Sequence, residues 1–134
     1  MKKNVKKKVK RFVPTLLVAL LFAGTMTYAA QTYDYYMSPG QTQYTTLIQK
    51  TSTTTQATVV KGGTAADYTY ARFTVVNDRL YAKSETKKLY GITQNVLSYA
   101  GYNVQQGDFV RLKIENNTSD NSGRFITVKG TWYP

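Results

Sequence analysis

Two stretches near the C-terminus alternate between apolar and polar side chains from Val110 and from Ile126 onward, which is the pattern of strands with one buried and one wet face. In residues 109–116 (FVRLKIEN), Val110, Leu112 and Ile114 fall on one face while Arg111, Lys113 and Glu115 fall on the other. In residues 124–132 (RFITVKGTW), Ile126, Val128 and Trp132 share a face. A helix does not keep a period of two, so this part of the chain is committed to antiparallel sheet. With the polar loop 117–123 between them, the two segments are expected to pair as a hairpin. Trp132 is expected to anchor the core near the chain end, with Gly130 beside it leaving room for a neighbour.

The same pattern extends upstream. Residues 41–50 and 53–60 read as two strands joined by a polar Thr51-Ser52 turn, and Lys61-Gly62-Gly63 reads as a break. Residues 67–76 (DYTYARFTVV) place Tyr68, Tyr70, Arg72 and Thr74 on one face and Thr69, Ala71, Phe73 and Val75 on the other. Turns are expected at Asn77-Asp78-Arg79, leading into a strand over 80–83, and at 105–108. Residues 84–100 carry Leu89, Ile92, Val96 and Ala100 at helical spacing, yet Gly91 interrupts them and β-branched and aromatic residues dominate. Two short strands are the favoured reading there, with a helix as the alternative. From Ala30 onward the chain holds 11 Tyr and 17 Thr, both strand formers. Seven or so short strands in about 105 residues imply an all-β fold, a small antiparallel β-sandwich.

The N-terminus has a different character. Residues 1–11 are basic, 12–23 (FVPTLLVALLFA) are apolar, and 24–30 are small and polar, the order of a secretory signal peptide. Cleavage after Ala29 places Thr27 and Ala29 at the two small-residue positions. An uncleaved anchor needs about 20 apolar residues, more than this run supplies. The expected organisation is a signal peptide over 1–29 and a secreted, extracellular domain over 30–134, touching a membrane only through that signal peptide. The lysine-rich start fits a Gram-positive cell.

Charge and composition then narrow the chemistry. The whole chain has a formal charge of +11, but residues 31–134 carry 11 Lys+Arg against 7 acids, a net of +4, which is on the scale of solubility rather than nucleic-acid binding. There is no His and no Cys, which removes Ser-His-Asp and Cys-His centres, thiolate or imidazole zinc sites and disulfides. Asp108 and Glu115 stand about 23 Å apart on an extended strand, too far for a glycosidase pair. The loop 115–121 (ENNTSDN) has oxygens that suit Ca²⁺, but Asn and Asp in a loop ordinarily bond their own backbone, so a solvated loop is the reading taken. No catalytic residue, metal or cofactor is expected, and enzyme chemistry is not.

The stretches Val110-Arg111-Leu112-Lys113-Ile114-Glu115-Asn116-Asn117 and Val128-Lys129-Gly130-Thr131-Trp132 resemble the end of a family of small exported Gram-positive domains of unknown function. That family shows Glu-Asn-Asn followed by a closing Val-x-Gly-x-Trp strand. The likeness spans about the last quarter of the chain and implies secretion without catalytic residues.

Aromatic and basic residues supply the binding candidates. Tyr68, Tyr70 and Arg72 stand in a row on one strand face, while Arg111, Lys113 and Lys129 form a cationic stripe if their strands pair as a hairpin. Cross-strand packing and a solvated face are the ordinary uses of such residues. As a binding face they suit an anionic cell-wall polymer or glycan. The expected function is a secreted, non-enzymatic sandwich that binds cell-envelope polymer or matrix through this Tyr/basic face. The alternative is a bacteriocin-like antimicrobial protein of the lactococcin 972 type.

Overall fold

The computed structural model of the chain describes residues 30–62 and 69–134. The expected signal peptide, residues 1–29, lies outside the described residues, as does Tyr68. The described strands are β1 (Gln31–Met37), β2 (Thr42–Tyr44), β3 (Ile48–Gln49), β4 (Gln56–Gly62), β5 (Tyr70–Asn77), β6 (Lys87–Tyr90), β7 (Thr93–Ser98), β8 (Phe109–Glu115) and β9 (Ile126–Tyr133). They build two antiparallel sheets packed face to face, an all-β sandwich. One sheet has the order β1-β9-β4-β7; the other has β2-β8-β5-β6, with β3 continuing beside β8.

The alternation assigns buried faces as the side chains require. Val110, Leu112 and Ile114 point inward from β8, and Ile126, Val128 and Trp132 from β9. Their strands do not form a hairpin. β8 pairs with β2, β3 and β5, whereas β9 pairs with β1 and β4 in the opposite sheet. Two strands with one apolar face each can lie side by side or face each other across the core, and alternation satisfies both arrangements. The loop decides: its single 3-10 turn at Asn121–Gly123, with Asn121 and Ser122 in the left-handed region, folds the chain over the end of the sandwich.

Residues 84–100 form two strands, and the helical spacing is incidental. Ile92, which a helix would bury with Leu89, is 79% exposed, while Leu97 is in the core. Gly91, at φ 48°, turns the chain from β6 in one sheet to β7 in the other. The expected strand over 41–50 is interrupted. Tyr44 faces Lys113 but Ile48 faces Val110, so one extra residue is accommodated as a bulge. Thr45 makes this possible: its N–H donates to the Leu112 carbonyl at 3.0 Å, and its own Oγ1 accepts from the Leu112 N–H at 2.9 Å. The break expected at Lys61-Gly62-Gly63 comes late, because β4 is paired on both sides and the Gly62–Lys129 register extends it to Gly62.

Trp132 is the largest side chain in the core and has 0% exposure; its Nε1–H donates to Gln31 Oε1 at 3.1 Å. Tyr33 from β1 meets Phe73 from β5 across the sheets, with ring centroids 6.0 Å apart. Gly130 lies opposite Tyr33 in the ladder and leaves space beside that ring. At one end of the sandwich Lys50 is fully buried, with no carboxylate within ion-pair distance among the described residues, although Asp108 acts on it from further away. Its Nζ donates to the Ser52 carbonyl (2.7 Å), Ser52 Oγ (2.8 Å) and Thr54 Oγ1 (3.4 Å), and it lies 5.4 Å from the Tyr99 ring centroid. This cation gathers the threonine-rich segment around itself, and its burial lowers its pKa.

Replacing Trp132 by Ala empties the largest core position and is expected to cost about 3–5 kcal/mol. Denaturant midpoints of the variant and wild type measure this. Wild-type tryptophan emission is expected to be blue-shifted when folded and to move red only on unfolding.

Candidate functional site

The outer face of the five-stranded sheet is laid out in rows by the strand register. Tyr70 pairs with Tyr90, and Arg72 lies between Lys88 and Glu115. Lys113 lies between Thr74 and Tyr44, and Arg111 faces Val76. Period two sends these side chains out because Ala71, Phe73, Val75, Leu112 and Ile114 go in. Tyr70, Arg72, Arg111 and Lys113 therefore share one surface. Lys129 does not: it projects from β9 on the outside of the other sheet, opposite Asp34. The continuous stripe expected of Arg111, Lys113 and Lys129 is absent because the strands that carry them belong to different sheets.

The upper row is held by the loop that follows β8. Asp120 is only 3% exposed, and Arg72 grips it with two hydrogen bonds, Nε to Oδ2 at 2.7 Å and Nη2 to Oδ1 at 3.0 Å. The Tyr70 hydroxyl also donates to Oδ1, and Lys88 Nζ lies 3.9 Å from it. Asn121 completes the attachment: its Oδ1 accepts from the Tyr70 N–H at 2.8 Å and its Nδ2 donates to the Tyr70 carbonyl at 2.7 Å. That amide acts as one more rung of the ladder beside β5. The loop expected to be solvated is thus partly buried, and the Asp120 oxygens face cations rather than an open cation site. Hydrogen bonds from Arg72 hold its carboxyl down to about 2 against an ordinary 3.8; burial opposes this and the Tyr70 hydroxyl adds to it.

Above this clasp, the Tyr70 and Tyr90 rings tilt together at 4.7 Å, and Lys88 Nζ sits 4.8 Å from the Tyr70 centroid. Tyr90 is 53% exposed. Lower on the face Lys113 pairs with Glu115 at 2.9 Å. Arg111 lies 5.8 Å from the Tyr44 ring centroid and donates from Nη2 to the Asp78 carbonyl at 3.2 Å. Its Nε is shielded from solvent and has no acceptor among the described residues. The face carries aromatic rings interleaved with cations.

Sequence reasoning missed Tyr90, Lys88, Asp120 and Asn121 as members of this group. Tyr90 and Lys88 alternate outward from Leu89, a signal hidden by the competing helical spacing. Nothing local marks Asp120, which lies 48 residues from Arg72.

The clasp fixes a pH dependence. A carboxyl whose folded pKa is depressed contributes stability that is complete above the ordinary value and is lost as pH falls through the folded value. Wild-type stability is therefore expected to decline between about pH 4 and pH 2 through this group. Asp120→Asn is expected to cost about 1–3 kcal/mol at pH 7. The gap between the two proteins is expected to close toward pH 2, as measured by denaturant unfolding across that range.

No protein-family model, no curated protein and no solved structure matches this chain.

Proposed function

We propose that this is a secreted, non-enzymatic domain that binds an acidic polysaccharide of the cell envelope through the outer face of its five-stranded sheet. The observation that carries this is the joint presence, on one sheet face, of Tyr44, Tyr70 and Tyr90 with four cations against two paired acids. The cations are Lys88, Arg72, Arg111 and Lys113; the acids are Asp120 and Glu115. Aromatic rings offer apolar faces to sugar rings, and uncompensated cations meet carboxylates along a polymer.

The purified protein is expected to bind alginate, a polyuronate, and to ignore neutral dextran, with affinity falling as salt rises. Tyr90→Ala and Lys88→Gln alter exposed side chains, so folding is expected to survive, and each should weaken alginate binding about tenfold, equivalent to about 1.4 kcal/mol. Calorimetry of both variants against both polymers checks this. Equal binding to dextran, or unchanged affinity in Tyr90→Ala, overturns the proposal.

A further inference from the structure

Two polar side chains stand on inward register positions where most of the sandwich places apolar ones. Lys87 of β6 lies opposite Phe73 in one sheet, and Asn95 of β7 lies opposite Val59 in the other; both of these partners are fully buried. Alternation puts Lys87 on the side of Leu89 and Asn95 on the side of Leu97, both core residues. The two half-buried side chains therefore meet across the gap between the sheets, with Lys87 Nζ 3.3 Å from Asn95 Oδ1. Further contacts complete the group. Glu85 Oε1 lies 3.3 Å from the same Nζ and is held by the Ser98 N–H at 3.2 Å. Asn95 Oδ1 accepts from the Val96 N–H at 2.9 Å, and Lys87 Nζ donates to the Val96 carbonyl at 2.8 Å. An amine, an amide carbonyl with a fixed donor and a carboxylate are gathered at one point.

We propose that Lys87 and Asn95 join in an isopeptide bond, so that the chain makes its own covalent cross-link between the two sheets. With a C=O length of about 1.23 Å, Nζ beside Oδ1 is about 4 Å from Asn95 Cγ, and a side-chain rotation brings it to the reacting distance of about 3–3.5 Å. Glu85 takes a proton from the ammonium, and the freed amine adds to Cγ. The Val96 N–H, already bonded to Oδ1, steadies the negative charge that this oxygen takes up. Glu85 passes its proton to Nδ2, the Cγ–Nδ2 bond breaks, and ammonia leaves as the Nζ–Cγ amide forms. Of the three Nζ protons, one stays on the new amide, one departs on the ammonia and one goes to water. No oxidant or cofactor enters, and each molecule reacts once, so a slow rate suffices. The product replaces an ammonium beside Phe73 and Val59 with a neutral amide and fastens β6 to β7 in a chain without disulfides. The bond lies between the sheets and is independent of what the outer face binds.

Mass spectrometry of the purified protein tests this. The intact protein is expected to be lighter than its sequence by one ammonia, about 17 Da, and a trypsin digest is expected to contain a branched peptide joining Lys87 to Asn95. Lys87→Arg keeps the cation but lacks the attacking amine, and is expected to show full mass. Glu85→Gln keeps an acceptor for the Ser98 N–H but carries no proton, and is expected to cross-link far more slowly. Circular dichroism of both variants confirms that they are folded. Wild type is expected to unfold at a higher denaturant midpoint than Lys87→Arg. Full mass in folded wild type, persisting after prolonged incubation at alkaline pH, overturns the proposal. A mass loss that survives in Lys87→Arg, the mark of a cyclic imide at an asparagine, overturns it as well. A bond that forms at the wild-type rate in Glu85→Gln overturns the part given to Glu85 and leaves the cross-link standing.

Discussion

The side-chain amide of Asn116 is the tie on which the two-layer arrangement depends. Asn116 is fully buried at the point where the chain leaves β8. Its Nδ2 donates to the Met37 carbonyl at the end of β1 (3.2 Å) and to the Arg124 carbonyl ahead of β9 (2.9 Å), while its Oδ1 accepts from Asn121 Nδ2 (3.1 Å). Its backbone N–H reaches the Gln41 carbonyl and its carbonyl accepts from the Gly40 N–H, both next to β2. One residue thus joins the edge of each sheet to both ends of the arch. Each buried group left without its partner would cost about 1–3 kcal/mol, so the crossing from sheet to sheet is fixed rather than optional. Because β8 and β9 are separated there, so are their cations, and the molecule has two distinct outer faces.

Other buried polar groups follow the same logic in a chain with no disulfides. Thr45 takes up the bulge between β2 and β3, Lys50 holds the threonine-rich segment, and Asp120 fastens the arch to β5. The edge at β7 is managed by side chains as well. The Val96 carbonyl accepts from Lys87 Nζ at 2.8 Å, its N–H donates to Asn95 Oδ1, and the Ser98 N–H donates to Glu85 Oε1 at 3.2 Å. Lys87 and Glu85, themselves paired at 3.3 Å, occupy the positions where another strand would dock. The residues between β5 and β7 therefore act both as a strand of one sheet and as a cover for the edge of the other.

What the sequence made legible was orientation. Val110, Leu112, Ile114, Ile126, Val128 and Trp132 could be placed inward from period two alone, and so could Ala71, Phe73 and Val75. Partnership was not legible, because a strand with one apolar face is equally content beside or across from another. The difference lay in Asn116 and Asn121, whose amides look in sequence like any polar loop. The candidate face was recovered where it depended on alternation within a strand, as with Tyr70 and Arg72 or Arg111 and Lys113. It was lost where it depended on pairing, as with Lys129, and on long-range contact, as with Asp120.

Exposure also separates the residues that hold the fold from those free to bind. Arg72 and Tyr70 are spent on Asp120 and Asn121, and Lys113 on Glu115, so part of the front face is structural even though it points outward. Tyr90 stands above that clasp, Lys88 reaches into it from the exposed side, 3.9 Å from Asp120 and 3.3 Å from the Tyr70 hydroxyl, and on the reverse Tyr36 and Lys129 project from strands whose inward neighbours already complete the core. A paired cation can still attract an anion, but only by sharing a partner it has, whereas Lys129 is exposed. The paired strands beneath them keep rings and charges at the spacing of the ladder.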